Sequence, residues 1–377
     1  MATTVLVEPD PGGHRFQAVA NVANVAARTD DVLLLTSKGA SADPAFAAFL
    51  GDVDLRVEEV FDSIYPPTVE MARVVADLCR TTDVSTVVVM DSDITLKRWW
   101  YVAPRAFRGV RRPRVVFFVT RYPAKLRLTD WPSWKLRLAK GTLAAAAMAT
   151  GSLHRAAGFA GRDDMSKGWI VKRTRDPEIC TAHSRDRLAI REELGLPADR
   201  RIAGIFGLIA RKNVPLVWEA MTRRGIDADL LLAGTFTDEL RAWVDAQPAS
   251  EHRRIIVKDG FLSNEELDKY VAASDVLPLA LDLNGPSGIM GKALVAEVPV
   301  LAAGSEVVAR EVRALDAGEV ADGFDADSIG AAFERLLARD PEAPRRSTVP
   351  PATAEEFGET VLGVGAARSR GRRRDRG

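Results

Sequence analysis

The chain has 377 residues, more than one hydrophobic core usually organises, so two domains with a cleft between them are expected. Hydrophobic residues make up 47% and charged ones 28%, which excludes global disorder; 52 basic against 52 acidic residues leave any polyanion binding to local patches. Cys79 and Cys180 lie far apart without a CxxC partner, which argues against a disulfide framework, a zinc site or a redox pair and fits a reducing, cytoplasmic setting. The start, MATTVLVEPD, does not read as a signal peptide, and no stretch reaches the roughly 18 apolar residues of a membrane span.

The first half alternates short apolar runs with helical patterns: TVLVEP, FQAVANVANVAA, DVLLLTS, PAFAAFLG and LRVEEVF follow one another. Strand-length runs separated by helices of about ten residues predict a parallel sheet with crossovers. TVVVMDSD (86–93) and RVVFFVTR (114–121) are the clearest strands, nearly unbroken β-branched or aromatic residues, as burial on both faces demands, and both end in charge. Segment 122–150 reads as a loop and then a helix rich in Trp, Lys and Arg. The polar run RTRDPEICTAHSRDR reads as a linker, marked by Pro177.

The second half repeats the rhythm. Helix RDRLAIREELGL stops at Gly195 and Pro197; strands RIAGIFGLI, ADLLLAGT, RIIVKDGF, DVLPLALDL and VPVLAAGS then alternate with helices NVPLVWEAMTRR, TDELRAWVDAQ, NEELDKYVAAS and IMGKALVAE. Ser263, followed by Glu265 and Glu266, reads as an N-cap with an acidic first turn. One more amphipathic helix, DADSIGAAFERLLARD, precedes a Pro-, Arg-, Ser- and Gly-rich stretch from Pro341 that ends in a disordered basic tail. The expected division is an N-terminal domain over 1–173, a linker over 174–186, a C-terminal domain over 187–345 and a C-terminal segment over 346–377, whose return to the first domain is left open.

Three strand-to-helix turns carry phosphate-binding chemistry. In the first, Glu8-Pro9-Asp10-Pro11-Gly12-Gly13-His14-Arg15, two glycines admit close backbone approach and the following helix N-terminus favours an anion. It is neither GxGxxG nor a P-loop, and a tight turn without a ligand weighs equally. The second, Phe206 to Asn213, sets Arg211 and Lys212 before a helix, as a diphosphate seat or as a solvated pair. The third, NGPSGIMGK (284–292), offers the amides of Ser287 and Gly288 and the Ser287 hydroxyl after Gly285. All three fall at carboxyl ends of strands, where open α/β sheets bind ligands. The turn Gly260-Phe261-Leu262 could receive a flat base, although a core position is the commoner fate of an isolated phenylalanine.

From Arg200 to Ser305 the order GIFGLIARKN, LLLAG, IIVKDGFLSNEELDKYVAASDVLPLAL and NGPSGIMGKALVAEVPVLAAG resembles the nucleotide-binding domain of the family-4 glycosyltransferases. The N-terminal half is similar in layout and in its Gly-Gly loop. The resemblance implies an α/β protein of GT-B architecture, with two Rossmann-like open parallel-sheet domains facing a central cleft. It also implies a retaining, hexosyltransferase-type enzyme that takes a nucleoside-diphosphate sugar as co-substrate and needs no metal or other cofactor. By the same resemblance Arg211 and Lys212 hold the diphosphate, although the usual family arginine lies further upstream, at Leu208. Gly12 and Gly13 face the donor, Phe261 and Leu262 lie against the base, and Gly285, Ser287 and Gly288 complete the donor contacts.

Two carboxylates of the family fall on Asn284 and Lys292. Asn284 can still hydrogen-bond a sugar hydroxyl; Lys292, a donor only, is left to bind phosphate oxygens, to donate to a ribose hydroxyl or to point elsewhere, with Glu297 and Glu306 as substitute carboxylates. His14 and Arg15 in the glycine loop and Asp91, Asp93 and Arg121 at strand ends are the acceptor-side candidates, against plain solvation of strand ends. The good leaving group asks for charge stabilisation on the departing diphosphate rather than a protein nucleophile, and the paired carboxylates of glycosidases are not identifiable. His14, His154, His183 and His252 are nowhere at metal-ligand spacing.

Between Arg121 and Lys140 the sequence interleaves Tyr122, Trp131 and Trp134 with Lys125, Arg127, Lys135, Arg137 and Lys140. That suits an ordinary helix docked on the first domain, the simpler reading, or a peripheral contact with anionic lipid and a lipid-linked acceptor. A nucleotide-sugar epimerase or a non-catalytic nucleotide-sugar binder of the same fold is the other alternative, since Asn284 and Lys292 stand where carboxylates are expected. The arginine-rich tail makes no case for nucleic acid. The Ala-, Arg- and Val-rich composition fits a bacterial source, with natural-product or cell-envelope glycosylation, in the cytoplasm or at the membrane periphery.

Overall fold

The computed structural model describes residues 2–12, 15–123, 131–208, 212–248, 254–282, 287–339, 347 and 349–364. The chain divides into two compact units, Met1–Pro177 with Ala352–Gly377, and Glu178–Pro351.

The first unit is built on a parallel sheet of β1 (Thr3–Val7), β2 (Asp31–Ser37), β3 (Arg56–Phe61), β4 (Val84–Val89), β5 (Arg114–Val119), β6 (Arg155–Ala160) and β7 (Val171–Arg175), in the spatial order β3-β2-β1-β4-β5-β6-β7. Strands are thus added from β1 toward one edge as far as β3, and from β4 toward the other. In register, Leu6 of β1 lies between Leu34 of β2 and Val88 of β4. Alternate residues of the central strands serve two cores. Leu6, Leu34, Val88, Val116 and Phe118 pack under helices α1 (Arg15–Ala26) and α2 (Pro44–Leu50). Val5, Val7, Val87, Val89, Phe117 and Val119 pack under α3 (Thr68–Thr81), α4 (Leu96–Ala106) and α5 (Trp131–Ala149). Burial on both faces accounts for the continuous apolar runs. Helix starts follow local chemistry: Asp43 accepts a hydrogen bond from the Ala45 amide at 2.8 Å and Pro44 opens α2. Trp99 of α4 is fully buried and donates its indole N–H to the Ser152 carbonyl at 2.7 Å.

In the second unit α6 (Arg187–Leu194) leads into an alternating series: β8 (Ile202–Phe206), α7 (Val214–Arg223), β9 (Asp229–Gly234), α8 (Asp238–Asp245), β10 (Ile255–Asp259), α9 (Asn264–Ala273), β11 (Leu277–Ala280), α10 (Gly288–Ala296), β12 (Val300–Ala303), α11 (Glu306–Ala314), β13 (Gly318–Val320) and α12 (Ala326–Leu337). The parallel ladders β10-β9-β8 and β11-β12-β13 meet at a bridge between Ala203 and Val276, where the Gly204 amide donates to the Val276 carbonyl at 2.9 Å. A buried arginine braces the amino ends of these strands. Arg191 of α6 pairs with Asp275 at 2.6 Å, and the same Asp275 oxygen accepts from the Ile202 amide at 2.7 Å. At α9, Ser263 and Glu266 exchange hydrogen bonds with each other's backbone amides, the full capping box of which the sequence showed one half.

Past Pro341, where composition alone reads as polar and irregular, lies a last helix, α13 (Ala354–Leu362), capped by Thr353 and packed into the first unit. Its Phe357 is buried between Phe118 and Phe159, with ring centroids at 5.2 and 5.8 Å. Gly358 allows the close approach to α1: a Cβ there would stand 2.6 Å from the Asn21 carbonyl oxygen. Arg155 donates twice to the Thr360 carbonyl, at 2.9 and 2.7 Å, and Arg175 pairs with Glu356 at 2.6 Å. Residues 365–377, which hold the expected basic tail, are outside the described residues. Truncating the aromatic anchor should cost what a core cavity costs. We expect Phe357→Ala to lower unfolding free energy by about 3–5 kcal/mol, read from urea denaturation; a change below about 1 kcal/mol would remove α13 from the core of the unit.

Candidate functional site

Both sheets reverse their direction of strand addition at the first strand. The carboxyl ends of β1 and β4 in one unit, and of β8 and β11 in the other, are therefore followed by loops that diverge, and open α/β sheets bind ligands at such points.

In the first unit this edge is a network of charges. Arg15, at the start of α1, reaches across from the β1 side to Asp91 beyond β4 at 2.6 Å, and lies 3.3 Å from Asp10 and 3.6 Å from Glu8. Glu8 accepts from the Asp10 amide at 3.1 Å, and Asp10 accepts from the Gly12 amide at 2.8 Å and from the Tyr65 hydroxyl at 3.4 Å. The Thr120 hydroxyl, past β5, stands 2.9 Å from Asp91 and 3.1 Å from Asp93; its single proton serves one of them at a time. Asp93 also accepts from the Arg121 amide at 3.1 Å and from the Lys140 ammonium at 2.9 Å. Arg15, Asp91, Asp93, Arg121 and Gly12 are thus brought to one edge, while Gly13 and His14 are outside the described residues.

Sequence reasoning singles out none of Glu8, Asp10 and Thr120 as site residues, although Glu8 and Thr120 directly follow apolar strands and Asp10 lies in the turn after β1. Lys140 needs a correction. Grouped by sequence with Lys135 and Arg137 as a basic surface, it lies on the inward side of α5 beside Gly141, Ala144 and Ala147, where it neutralises Asp93 and donates to the Arg121 carbonyl.

Burial pushes the Glu8 carboxyl up from 4.5 to about 8, against the pull of Arg15 and of the Asp10 amide. Near neutral pH it therefore holds its proton, and the Arg15 charge is matched chiefly by Asp91. Because the folded-state value lies above the unfolded one, the folded chain keeps a proton that the unfolded chain has released between those two values. Stability then falls as pH rises from 4.5 toward 8, at a limiting rate of about 1.4 kcal/mol per pH unit, and levels off above. Glu8→Gln should flatten this slope. Thermal unfolding followed across that window checks it, and an identical slope in the variant would count against a buried protonated Glu8.

In the second unit β8 is followed by Gly207, whose φ of 65° is the left-handed conformation glycine takes freely. Leu208, the position of the family arginine, turns into the core. Residues 209–211, Arg211 among them, are outside the described residues, and Lys212 is half-buried. Asn213 donates from its side-chain amide to the Ala280 carbonyl at 3.0 Å and so ties the β8 turn to the end of β11. Asn284 and Gly285 are also outside the described residues. Ser287 caps α10 with extended backbone; its hydroxyl is buried and has no hydrogen-bond partner among the described residues. Gly288 begins the helix. Phe261 is 58% exposed after Gly260, whereas Leu262 packs against the core.

Lys292 points inward. It is buried and paired with Asp268 of α9, which is 1% exposed and accepts from the Thr181 amide at 2.7 Å and hydroxyl at 3.0 Å. Of the substitute carboxylates, Glu297 closes the far end of α10 and pairs with His183 at 3.3 Å, and Glu306 is exposed in the first turn of α11. Nine residues of helix, roughly 13 Å, separate Glu297 from Ser287. Burial pushes the thiols of Cys79 and Cys180 up to about 11, which leaves neither as a ready nucleophile. Removing one partner of the buried pair strands the other. Asp268→Ala should destabilise by about 3–5 kcal/mol, and Asp268→Leu with Lys292→Met should recover most of it; urea denaturation of the single and double variants distinguishes this from an exposed pair, whose loss would be nearly silent.

No family model matches the chain, and no curated protein matches it. Solved structures do. Anabaena Alr3699/HepE in complex with UDP aligns over 99% of this chain and 100% of its own, with a TM-score of 0.61 at 13% identity. A glycosyltransferase from Rickettsia africae ESF-5 aligns over 99% and 96%, with a TM-score of 0.59 at 11% identity. A putative UDP-N-acetylglucosamine 2-epimerase from Listeria monocytogenes aligns over 98% and 97%, with a TM-score of 0.57 at 12% identity. The likeness is one of fold, and the fold is GT-B.

Proposed function

We propose that the chain is a glycosyltransferase that moves a hexosyl group from a nucleoside-diphosphate sugar to an acceptor hydroxyl, with retention of configuration. The observation that carries the reading is the Ser287 hydroxyl, buried without a partner among the described residues at the N-terminus of α10, where strand order reverses in the second unit. A helix N-terminus with a spare hydroxyl donor is chemistry for a phosphate oxygen. The fold shared with UDP-bound HepE, and the resemblance of residues 200–305 to family 4, support a nucleotide sugar as its source and retention as its outcome.

In this reading the second unit takes the donor. Charge that develops on the departing diphosphate meets Arg211, Lys212, the Ser287 hydroxyl and the first amides of α10, donors fixed before the bond breaks. Asn284 hydrogen-bonds the transferred sugar and the exposed Phe261 takes the base. The first unit takes the acceptor. Its carboxylates Asp91 and Asp93 accept from sugar-type hydroxyls, and Glu8, holding a proton near neutral pH, is a group through which a proton can be exchanged at that edge.

Thermal shift against UDP, GDP, ADP and dTDP tests the donor half, and acceptor-dependent release of the nucleotide tests transfer. Interconversion of the sugar without an acceptor would instead make the protein an epimerase, the reading its likeness to the Listeria structure keeps open. Arg211→Ala and Lys212→Ala should each weaken nucleoside-diphosphate affinity by ~1.5–3 kcal/mol, and Ser287→Ala by ~1 kcal/mol. Unchanged affinity in all three, by calorimetric titration, would refute the phosphate seat.

A further inference from the structure

Helices α4 and α5 pack side by side on one face of the first unit's sheet, with Leu96, Trp99 and Val102 of one and Ala144 and Ala147 of the other turned into the core. Their outward faces take no part in the site described above. On α5, Trp131, Lys135 and Leu138 recur at i, i+4 and i+7 and so form one stripe. Trp131 is 60% exposed and Leu138 58%, and the Lys135 ammonium lies 5.6 Å over the Trp131 ring. On α4, Lys97, Arg98, Trp100, Tyr101 and Arg105 are exposed, with the Trp100 and Tyr101 rings edge to face at 5.1 Å. Ile94, in the loop that opens α4, is 59% exposed. Large apolar side chains gathered outside a core mark an interaction surface.

Charge identifies what the surface fits. Between positions 94 and 150 Asp130 is the sole acidic residue, against thirteen lysines and arginines, in a chain whose charges balance overall. Lys140 is engaged inside, on Asp93, whereas Lys97, Arg98, Arg105, Arg108 and Lys135 are exposed. An anionic bilayer satisfies both features together: its phosphates complement the cations, and the boundary between headgroups and acyl chains accepts Trp, Leu and Ile. A nucleic acid matches the charge alone, since a phosphate backbone offers nothing to Leu138 or Ile94.

We infer that the outward face of α4 and α5 docks the protein peripherally on an anionic lipid surface. Both helices begin beyond the carboxyl ends of β4 and β5, the edge that carries Asp91, Asp93 and Arg121, so docking brings that edge beside the headgroups. The docking stands whether or not the chain transfers a sugar.

Co-sedimentation with phosphatidylcholine vesicles, with and without phosphatidylglycerol, tests it. The wild-type protein should pellet with the phosphatidylglycerol vesicles at low salt and be released at high salt. Lys97→Glu/Arg98→Glu/Lys135→Glu should weaken pelleting by about tenfold or more, and Trp131→Ser/Leu138→Ser by several-fold. Unchanged circular dichroism and melting temperature show that the variants fold, and quenching of wild-type tryptophan fluorescence by brominated phosphatidylglycerol gives a readout that needs no variant. The inference is overturned if the wild type stays in the supernatant, if it pellets equally with pure phosphatidylcholine, if both variants pellet like wild type, or if the basic face binds duplex oligonucleotide but no vesicle.

Discussion

The constraint on which both units depend is the crossover connection that parallel strands require. Once each helix must return the chain to the amino end of a neighbouring strand, helices cover both faces of the sheet, and only the loops at strand ends remain free to carry chemistry. Reversing the order of addition after the third strand makes two of those loops diverge, between β1 and β4 in the first unit and between β8 and β11 in the second. The units fill the opening differently. In the first an ion pair, Arg15 with Asp91, spans it; in the second a neutral hydrogen bond, from Asn213 to the Ala280 carbonyl, does so. The first edge is therefore rich in carboxylates, fit for hydroxyl groups. The second keeps helix N-termini and, at Ser287, a buried hydroxyl without a hydrogen-bond partner among the described residues, chemistry suited to an anion.

How legible this was depended on how local the cause is. Strands β4 and β5 announce themselves because burial on both faces forces continuous β-branched and aromatic residues. Strand β6, RAAGFA, does not: a Cβ at Gly158 would stand 3.0 Å from the Tyr122 side chain and from the Val119 carbonyl oxygen, so the site calls for a small residue, and small residues carry no strand signal. Helix α13 hides in a Pro- and Arg-rich stretch because what holds it is remote: Phe118, Phe159, Arg155 and Arg175 lie some two hundred residues earlier in the chain. The turn from Glu8 to Arg15 could be picked out as a site from its glycines and its position. The protonation of Glu8 could not, since it follows from full burial just past β1, where the Glu8 amide donates to the Leu35 carbonyl of β2, and burial of that kind is supplied by the sheet.

Lys140 and Lys292 teach the same lesson with opposite starting points. Sequence groups one with surface cations and the other with the donor-side positions, and each is paired with an aspartate contributed by a distant element, the half-buried Asp93 and the buried Asp268. A lysine's role is set by the nearest carboxylate in space, and pairs separated by 47 and 24 residues leave no mark in local sequence. Burying either ammonium without its partner would be far costlier than leaving it in solvent, so the aspartates are what permit these lysines to sit inside.

For the second unit this pairing has a consequence for how an anion would be held. An unpaired lysine little more than a turn into α10 would add its charge to the positive end of the helix and strengthen the seat at Ser287. Asp268 lies against that lysine and cancels most of its field. The attraction left at the helix N-terminus comes from backbone amides and the Ser287 hydroxyl. The ion pair instead fixes α10 against α9 and, through Thr181, against the segment that enters the unit. Lys292 thus acts on the direction in which the first amides of α10 point, and under the proposed reading its substitution would alter anion binding through that geometry and not through a lost contact.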